Sequence, residues 1–326
     1  MKIGDKSSAI VGKRILSGLI PFLGLIVVFL FFSIRLGNRF LSINNLLLII
    51  NQSIIYMIIG LGASFVVAHG NIDFSIGGVL GAAVALGMVL GTFAWKGTGS
   101  RAFATTAAIC GCMIAGVILC SLTSVFHLVL RIPGFVASLS IMFLGRGLCQ
   151  VMCATFGIKQ AVFLNPLNTT SFYLISLVVT FLICGFLFEF TKLGKYNKAI
   201  GSNKKATELS GINVSKYKFL AYLTMGCCIG AAAFVYLVRV GAASALAGNS
   251  YEVDILIALV LGGLPLSGGS QVKIYSILTG ALIFMMLKNG LTIMNVSAEY
   301  TNLIRGLIFL IVTLCSYNRK SSQFVL

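Results

Sequence analysis

Apolar runs of about 20 residues recur from residue 15 to residue 317, and only one long polar stretch interrupts them. A hydrocarbon core of about 30 Å is crossed by about 20 helical residues, and only helices or closed barrels satisfy their backbone there. Hydrophobic residues make up 58% of the 326 and charged residues 10%, a balance that a soluble domain of this length cannot bury. The chain therefore reads as an all-α polytopic membrane protein with a single transmembrane domain over 1–326 and no separate catalytic domain.

Ten helices are expected, at approximately 15–33, 46–68, 75–95, 103–130, 134–156, 171–191, 218–240, 251–265, 272–293 and 301–317. The first follows Lys13 and Arg14 without a small-residue cleavage site before Arg35, so it is read as a retained anchor. Pro133 with Gly134 opens the fifth helix, Asn165 and Pro166 mark an outer loop, and Pro265 with Gly268 and Gly269 breaks the run after the eighth, so broken or re-entrant segments are expected.

The formal net charge of +17 would suggest nucleic acid in a soluble chain, but here the cations sit between spans and set orientation. With the N-terminus inside, fifteen of the 24 Lys and Arg fall in inner loops and tails, six outside, and three (Arg146, Lys288 and Arg305) within spans. Both termini are then cytoplasmic. The nine cysteines lie in or beside apolar runs, none with a histidine at metal-ligand spacing, and read as small buried hydrophobes. No metal or cofactor is expected.

Only seven residues are acidic, which makes GNIDFSIGG at 70–78 conspicuous. Gly70, Gly77 and Gly78 permit tight turns and close helix approach, and Asp73 or Ser75 can accept from free N–H groups at the next helix start. An ionisable group at membrane depth signals a functional site, and irregular backbone is tolerated there only beside a cavity or inside protein. The segment is read as a cap within a gate beside a pathway. IDFSIGGVLG at 72–81 is echoed by VDILIALVLGG at 253–263, the trace expected of either duplicated halves or chance. Glu252 and Asp254 are placed near the outer surface, available to basic residues of a partner on that side.

The polar stretch, residues 192–218, carries seven lysines and only Tyr196 and Tyr217 as aromatics. Within it Asn203 can cap a short helix, Ala206 and Leu209 share its face, and Gly211 can end it. A capped helix with an apolar stripe exceeds what attraction to anionic lipid requires and points to docking of a cytoplasmic partner. An ion-coupled secondary transporter would need intramembrane carboxylate or histidine relays, and Asp73 is the one carboxylate clearly between spans. A membrane hydrolase would need paired carboxylates or a metal cluster, which the sequence does not suggest.

ATELSGINVSKYKFLAY, FLSINNLLLIINQS (40–53), GNIDFSIGGVLGAAVALG (70–87) and ALVLGGLPLSGGSQVKIYSILTGALIFMMLKNGLTIMNVS (258–297) together resemble the ribose-type permeases of bacterial ABC importers, from about residue 15 to 317. The resemblance implies an inner-membrane subunit that pairs with a second copy or a relative. It takes a monosaccharide from a periplasmic or extracellular binding protein, and a separate ATPase docks below. It also implies that 192–218 is the ATPase-coupling segment, with Ala206, Leu209 and Gly211 at the family's small, apolar and glycine positions. Lys205 departs from an often acidic place and Glu208 takes the next one, which leaves partner specificity open. No G-x-x-x-x-G-K-[ST] pattern is present, in keeping with hydrolysis on another subunit. Branched-chain amino-acid permeases of the same importer class remain the nearest alternative, and the sugar is not specified.

Overall fold

The computed structural model describes residues 21–157 and 160–316, so residues 15–20 of the first expected helix and both termini lie outside it. Thirteen α-helices make up the described chain. They are α1 (Pro21–Leu36), α2 (Asn38–Leu41), α3 (Ile43–Ala68), α4 (Ile76–Thr98), α5 (Arg101–Leu128), α6 (Gly134–Phe156) and α7 (Thr170–Glu189), then α8 (Lys192–Ser202), α9 (Lys204–Leu209), α10 (Val214–Val240), α11 (Tyr251–Leu261), α12 (Ser276–Ile293) and α13 (Ala298–Ser316). A 3₁₀ segment, Val162–Leu167, precedes α7. Among the described residues seven helices, α3 to α7, α10 and α12, are long and apolar enough to cross a membrane. The chain is a polytopic all-α membrane protein.

Helices α3, α4, α5 and α10 form the centre. Burial covers most of α3, α4 and α10, whereas α7 keeps only Tyr173, Cys184 and Phe188 buried and turns the rest outward. Lipid is as apolar as leucine, so helices associate through close van der Waals approach of small residues rather than through hydrophobic exclusion. The α5–α10 crossing is built this way: a Cβ at Gly116 would overlap the Gly226 carbonyl, and one at Gly226 would overlap the Gly116 carbonyl. At the α4–α6 crossing, Gly78 faces the Met142 carbonyl and Gly145 faces the Gly78 carbonyl.

Two segments depart from the expected layout. The polar stretch holds two helices rather than one. Thr191 caps α8 by accepting from Leu193 N–H at 3.2 Å, and α8 lies against the bundle through Gly194, Asn197, Ile200 and Gly201. The sequence reading missed α8 because its buried face is mostly Gly and Asn, which carry little apolar signal. The eighth expected helix is also shorter than 251–265, ending at Leu261. The preceding residues 241–250 form turns and carry the chain into the bundle, so α11 starts at depth rather than at a surface.

That start is level with the middle of α3, because Tyr251 stacks on Tyr56 with centroids 4.7 Å apart and Tyr56 is central in Ile43–Ala68. Helix α4 also begins inside. Gly134, at the start of α6, adjoins Asn71, and Gly78 adjoins Met142. Eight residues along α6 separate those contacts, roughly 12 Å at 1.5 Å per residue.

Replacing Gly116 by leucine is expected to lower the melting temperature of the purified protein, since overpacking at a backbone contact costs about 1–3 kcal/mol. Gly185→Leu, on α7 where a Cβ meets nothing within 4 Å, should leave melting unchanged; equal melting of both variants would refute close α5–α10 packing.

Candidate functional site

Helix starts leave N–H groups without intrahelical partners, and inside a bilayer no water relieves them. Residues 70–78 solve this for α4. Gly70 takes φ +84°, a left-handed conformation that turns the chain back after α3. Asp73 is buried, and its Oδ1 accepts from Ser75 N–H at 2.7 Å and from the Ser75 hydroxyl at 2.5 Å. Ser75 is the residue before α4 but makes no side-chain cap, so Asp73 braces the approach to the helix rather than its first turn. Asp73 Oδ2 has no hydrogen-bond partner among the described residues.

Gly77 has a different neighbour. A Cβ there would overlap the Glu252 carboxylate of α11 and the Gly248 carbonyl, and a Cβ at Gly248, itself at φ +76°, would overlap the Gly77 carbonyl. The starts of α4 and α11 thus meet, with a carboxylate against the positive end of α4, where the helix dipole favours a negative charge. The two echoed sequence segments come together here, although Asp73 and Asp254 do not pair.

The expectation that Glu252 and Asp254 lie near an outer surface does not match the structure. Both are buried and paired within the chain. Glu252 pairs with Arg146 of α6 at 2.5 Å. Asp254 accepts from Tyr56 of α3 at 3.2 Å, from Lys288 of α12 at 3.4 Å and from Arg305 of α13 at 3.2 Å. Lys288 also donates to the Tyr56 hydroxyl at 3.1 Å. The physical reason is the turn-rich descent of 241–250, which takes the start of α11 to mid-depth. There an unpaired carboxylate is far costlier than a paired one. Sequence reasoning isolated all five charged groups but did not join them, and it passed over Tyr56 and Tyr251, whose one signal was a polar tip within or beside an apolar run.

At the C-terminal end of α3, His69 is buried against the Tyr222 ring, with centroids 5.8 Å apart. Asn71 reaches His127 at 3.0 Å and the Tyr222 hydroxyl at 3.4 Å. The arm formed by α8 and α9 is attached here: a Cβ at Gly201 would overlap the Ala68 carbonyl, Gly269 N–H donates to that same carbonyl at 2.9 Å, and Ser270 N–H donates to the Ser202 hydroxyl at 3.0 Å. Tyr196 and Tyr217 pack edge to face, 4.6 Å between centroids, tying α8 to the start of α10.

Helix α9 projects from this base. Asn203 caps it by accepting from Ala206 N–H at 3.0 Å. Gly211 takes φ +78°, with N–H bonds from Gly211 to the Glu208 carbonyl at 3.0 Å and from Ile212 to the Thr207 carbonyl at 3.4 Å. Thr207 is its one buried residue, while Ala206, Glu208 and Leu209 are exposed, Leu209 at 88%. An apolar side chain this exposed on a capped helix is presented, not packed. Among the described residues no three His, Cys, Asp or Glu side chains converge as metal ligands would.

Comparison with known proteins matches the family model described as branched-chain amino acid transport system / permease component over residues 45–313. The chain is similar to the ribose import permease protein of Escherichia coli (strain K12), 32% identical over 302 residues, spanning 87% of this chain and 89% of the relative. It is 33% identical over 334 residues to the ribose import permease protein of Bacillus subtilis (strain 168), spanning 93% and 92%. It is 28% identical over 291 residues to the D-allose transport system permease protein of Escherichia coli (strain K12), spanning 86% and 85%. No solved structure matches.

The Arg146–Glu252 pair makes a stability prediction. Glu252→Leu should lower melting more than Glu252→Leu combined with Arg146→Leu, because the single change strands a half-buried cation and the double change removes it. Melting of these two variants and of Arg146→Leu alone, in detergent, tests this, and strictly additive losses would show that the two groups do not interact.

Proposed function

The chain belongs to the branched-chain amino acid transport system / permease component family and to its ribose-type branch, and from that membership we propose that it is the transmembrane subunit of an ATP-binding cassette importer for a monosaccharide. The observation that carries this reading is the near full-length similarity to import permeases for ribose, allose and other sugars. It also favours sugar over a branched-chain amino acid and over ion-coupled secondary transport. The chain is a permease rather than an enzyme, and ATP hydrolysis belongs to a separate subunit.

Four finer elements belong to the same reading. The membrane is the bacterial inner membrane, with α1, α11 and α13 joining the seven long helices as ten membrane elements. The α8–α9 arm and both termini face the cytoplasm, supported by the cation distribution. The arm docks on the ATPase through Ala206, Glu208 and Leu209, supported by the exposed, doubly capped geometry of α9. A second copy or a relative completes the pathway, and a binding protein delivers the sugar. ATP then draws the two arms together, and the segments around Asp73 and Gly77, to whose end of α3 the arm is attached, switch access between the two sides.

Uptake of labelled D-ribose, D-xylose, D-allose and D-fructose into proteoliposomes carrying the permease, its ATPase and its binding protein tests the function. ATP-dependent uptake of at least one is expected, and uptake driven by a proton gradient without ATP would overturn the reading. For orientation, a cysteine at Lys204 should be labelled from the cytoplasm and one at Asn168 from outside; the reverse pattern inverts the layout.

Coupling is tested at Gly211. No atom lies within 4 Å of a Cβ there, so Gly211→Val acts through backbone strain at positive φ and not through a clash. Membrane levels should stay normal while ATPase co-purification and binding-protein-stimulated hydrolysis fall severely. Wild-type hydrolysis and uptake in this variant would remove the coupling role from the arm.

A further inference from the structure

Non-helical backbone and polar side chains are not stable against hydrocarbon, so at membrane depth they occur inside protein or beside water. One face of this chain carries both in exposed positions. Residues 241–250 descend as turns to the level of Tyr56, and within them Ala245, Leu246 and Asn249 are exposed, Leu246 at 73%. Helix α6 lies beside this segment: the Cys149 thiol donates to the Ser244 carbonyl at 3.5 Å, and Arg146 pairs with Glu252. Arg146 and Gln150 fall near the middle of Gly134–Phe156, and with Phe143 they form one stripe at spacings of three and four. Phe143 and Gln150 are exposed, the Arg146 side chain keeps 31% of its surface free despite its pair, and a Cβ at Gly147 would meet nothing within 4 Å. By contrast, the exposed middle of α7 presents Ile175, Val178, Val179 and Leu182, as lipid requires.

We propose that this face, the Phe143–Gln150 stripe of α6 with the turn before α11, is a wall of the solute pathway, along which Gln150, Asn249 and the free donors of Arg146 hydrogen-bond a neutral monosaccharide. Amide side chains both donate and accept, as sugar hydroxyls do, and the exposed Phe143 ring suits a C–H face of the sugar. The charge of Arg146 is balanced by Glu252, so the stripe suits a neutral solute rather than an ion. A dry contact with a second copy would call for small or apolar residues, as at the α5–α10 crossing, whereas Gln150 and Asn249 call for water. A second copy supplies the opposite wall. That the face meets water rests on the geometry alone, while the choice of sugar rests on the importer reading.

The first test is water access in the permease alone, reconstituted in liposomes. Gln150→Cys and Asn249→Cys are treated with a positively charged methanethiosulfonate, the labelling of the wild-type cysteines is subtracted, and Val178→Cys on α7 serves as the lipid-facing control. A thiol reacts as its thiolate, which forms in water and not in hydrocarbon, so both positions should label about tenfold or more faster than Val178→Cys. In the assembled transporter, with a sugar that the wild type imports, Gln150→Leu and Asn249→Leu should each lower the sugar moved per ATP hydrolysed about fivefold, the effect of losing one hydrogen bond. A wild-type melting temperature establishes that these variants fold. Labelled Gln150→Cys should lose uptake, because the attached group fills the pathway. Three outcomes overturn the wall: labelling at either position no faster than at Val178→Cys, cross-linking of two copies through Gln150→Cys without labelling, which would make the face a dry subunit contact, or wild-type sugar movement per ATP in both leucine variants. Failure of the importer reading is distinct, because it removes ATP-dependent uptake by the wild type, whereas the labelling needs neither ATPase nor binding protein.

Discussion

Two helices of this protein begin inside the bundle rather than at its surface, and much of the polar chemistry follows from that. A helix start at membrane depth must have its N–H groups and positive dipole end compensated by protein, because no solvent is present to do it. Helix α4 is approached through an Asp73–Ser75 brace, and its first turn abuts the Glu252 carboxylate that α11 supplies. This arrangement demands glycine at 77 and at 248, since either Cβ would displace the group it faces. The carboxylate then needs a cation, supplied by Arg146 from α6. One backbone requirement thus recruits a glycine pair, an acid and an arginine from four separate segments.

The same logic spreads outward from α11. Its first turn carries Asp254 as well as Glu252, and each faces a different group of helices: Glu252 meets α4 and α6, Asp254 meets α3, α12 and α13. Helix α11 is therefore tied to two groups of helices, to each through one of its carboxylates. At the C-terminal end of α3, the arm packs on Ala68 through Gly201 and accepts a hydrogen bond from Ser270 N–H at the Ser202 hydroxyl, while Gly269 N–H donates to the Ala68 carbonyl. The arm therefore touches both the end of α3, three residues before Asn71 and the approach to Asp73, and the loop leading to α12.

The membrane spans were legible in the sequence because apolar length is a strong signal, and 134–156 matches α6 at both ends. The Asn203 cap and the Gly211 turn were also legible, since each rests on a local backbone need that a single residue type meets. Depth was not. Nothing in YEVDILIALVL distinguishes a helix that starts at a surface from one that starts at the level of Tyr56, because residues 241–250, which decide it, look like an ordinary connection of small residues. Partner identity was equally hidden: Arg146, Lys288 and Arg305 each announced a cost, but the carboxylate that meets each cost is fixed by tertiary contact.

The cysteines show how far composition can be read once packing is known. Cys228 faces Gly62, Cys112 faces Gly87, Cys149 faces Gly81 and Cys120 faces Gly226, so four of them sit opposite a glycine at a helix contact. A glycine lets the facing backbone approach, and the partner must then be small, weakly polar and able to fill the remaining space without a hydrogen-bond demand. Serine would bring a hydroxyl that bonds back to its own helix, as Ser64 does to the Gly60 carbonyl at 2.7 Å, and leucine would push the helices apart. Alanine or cysteine satisfies the contact, and the larger thiol recovers more dispersion energy across the same gap. The placement of these four thiols thus follows from the glycines they face.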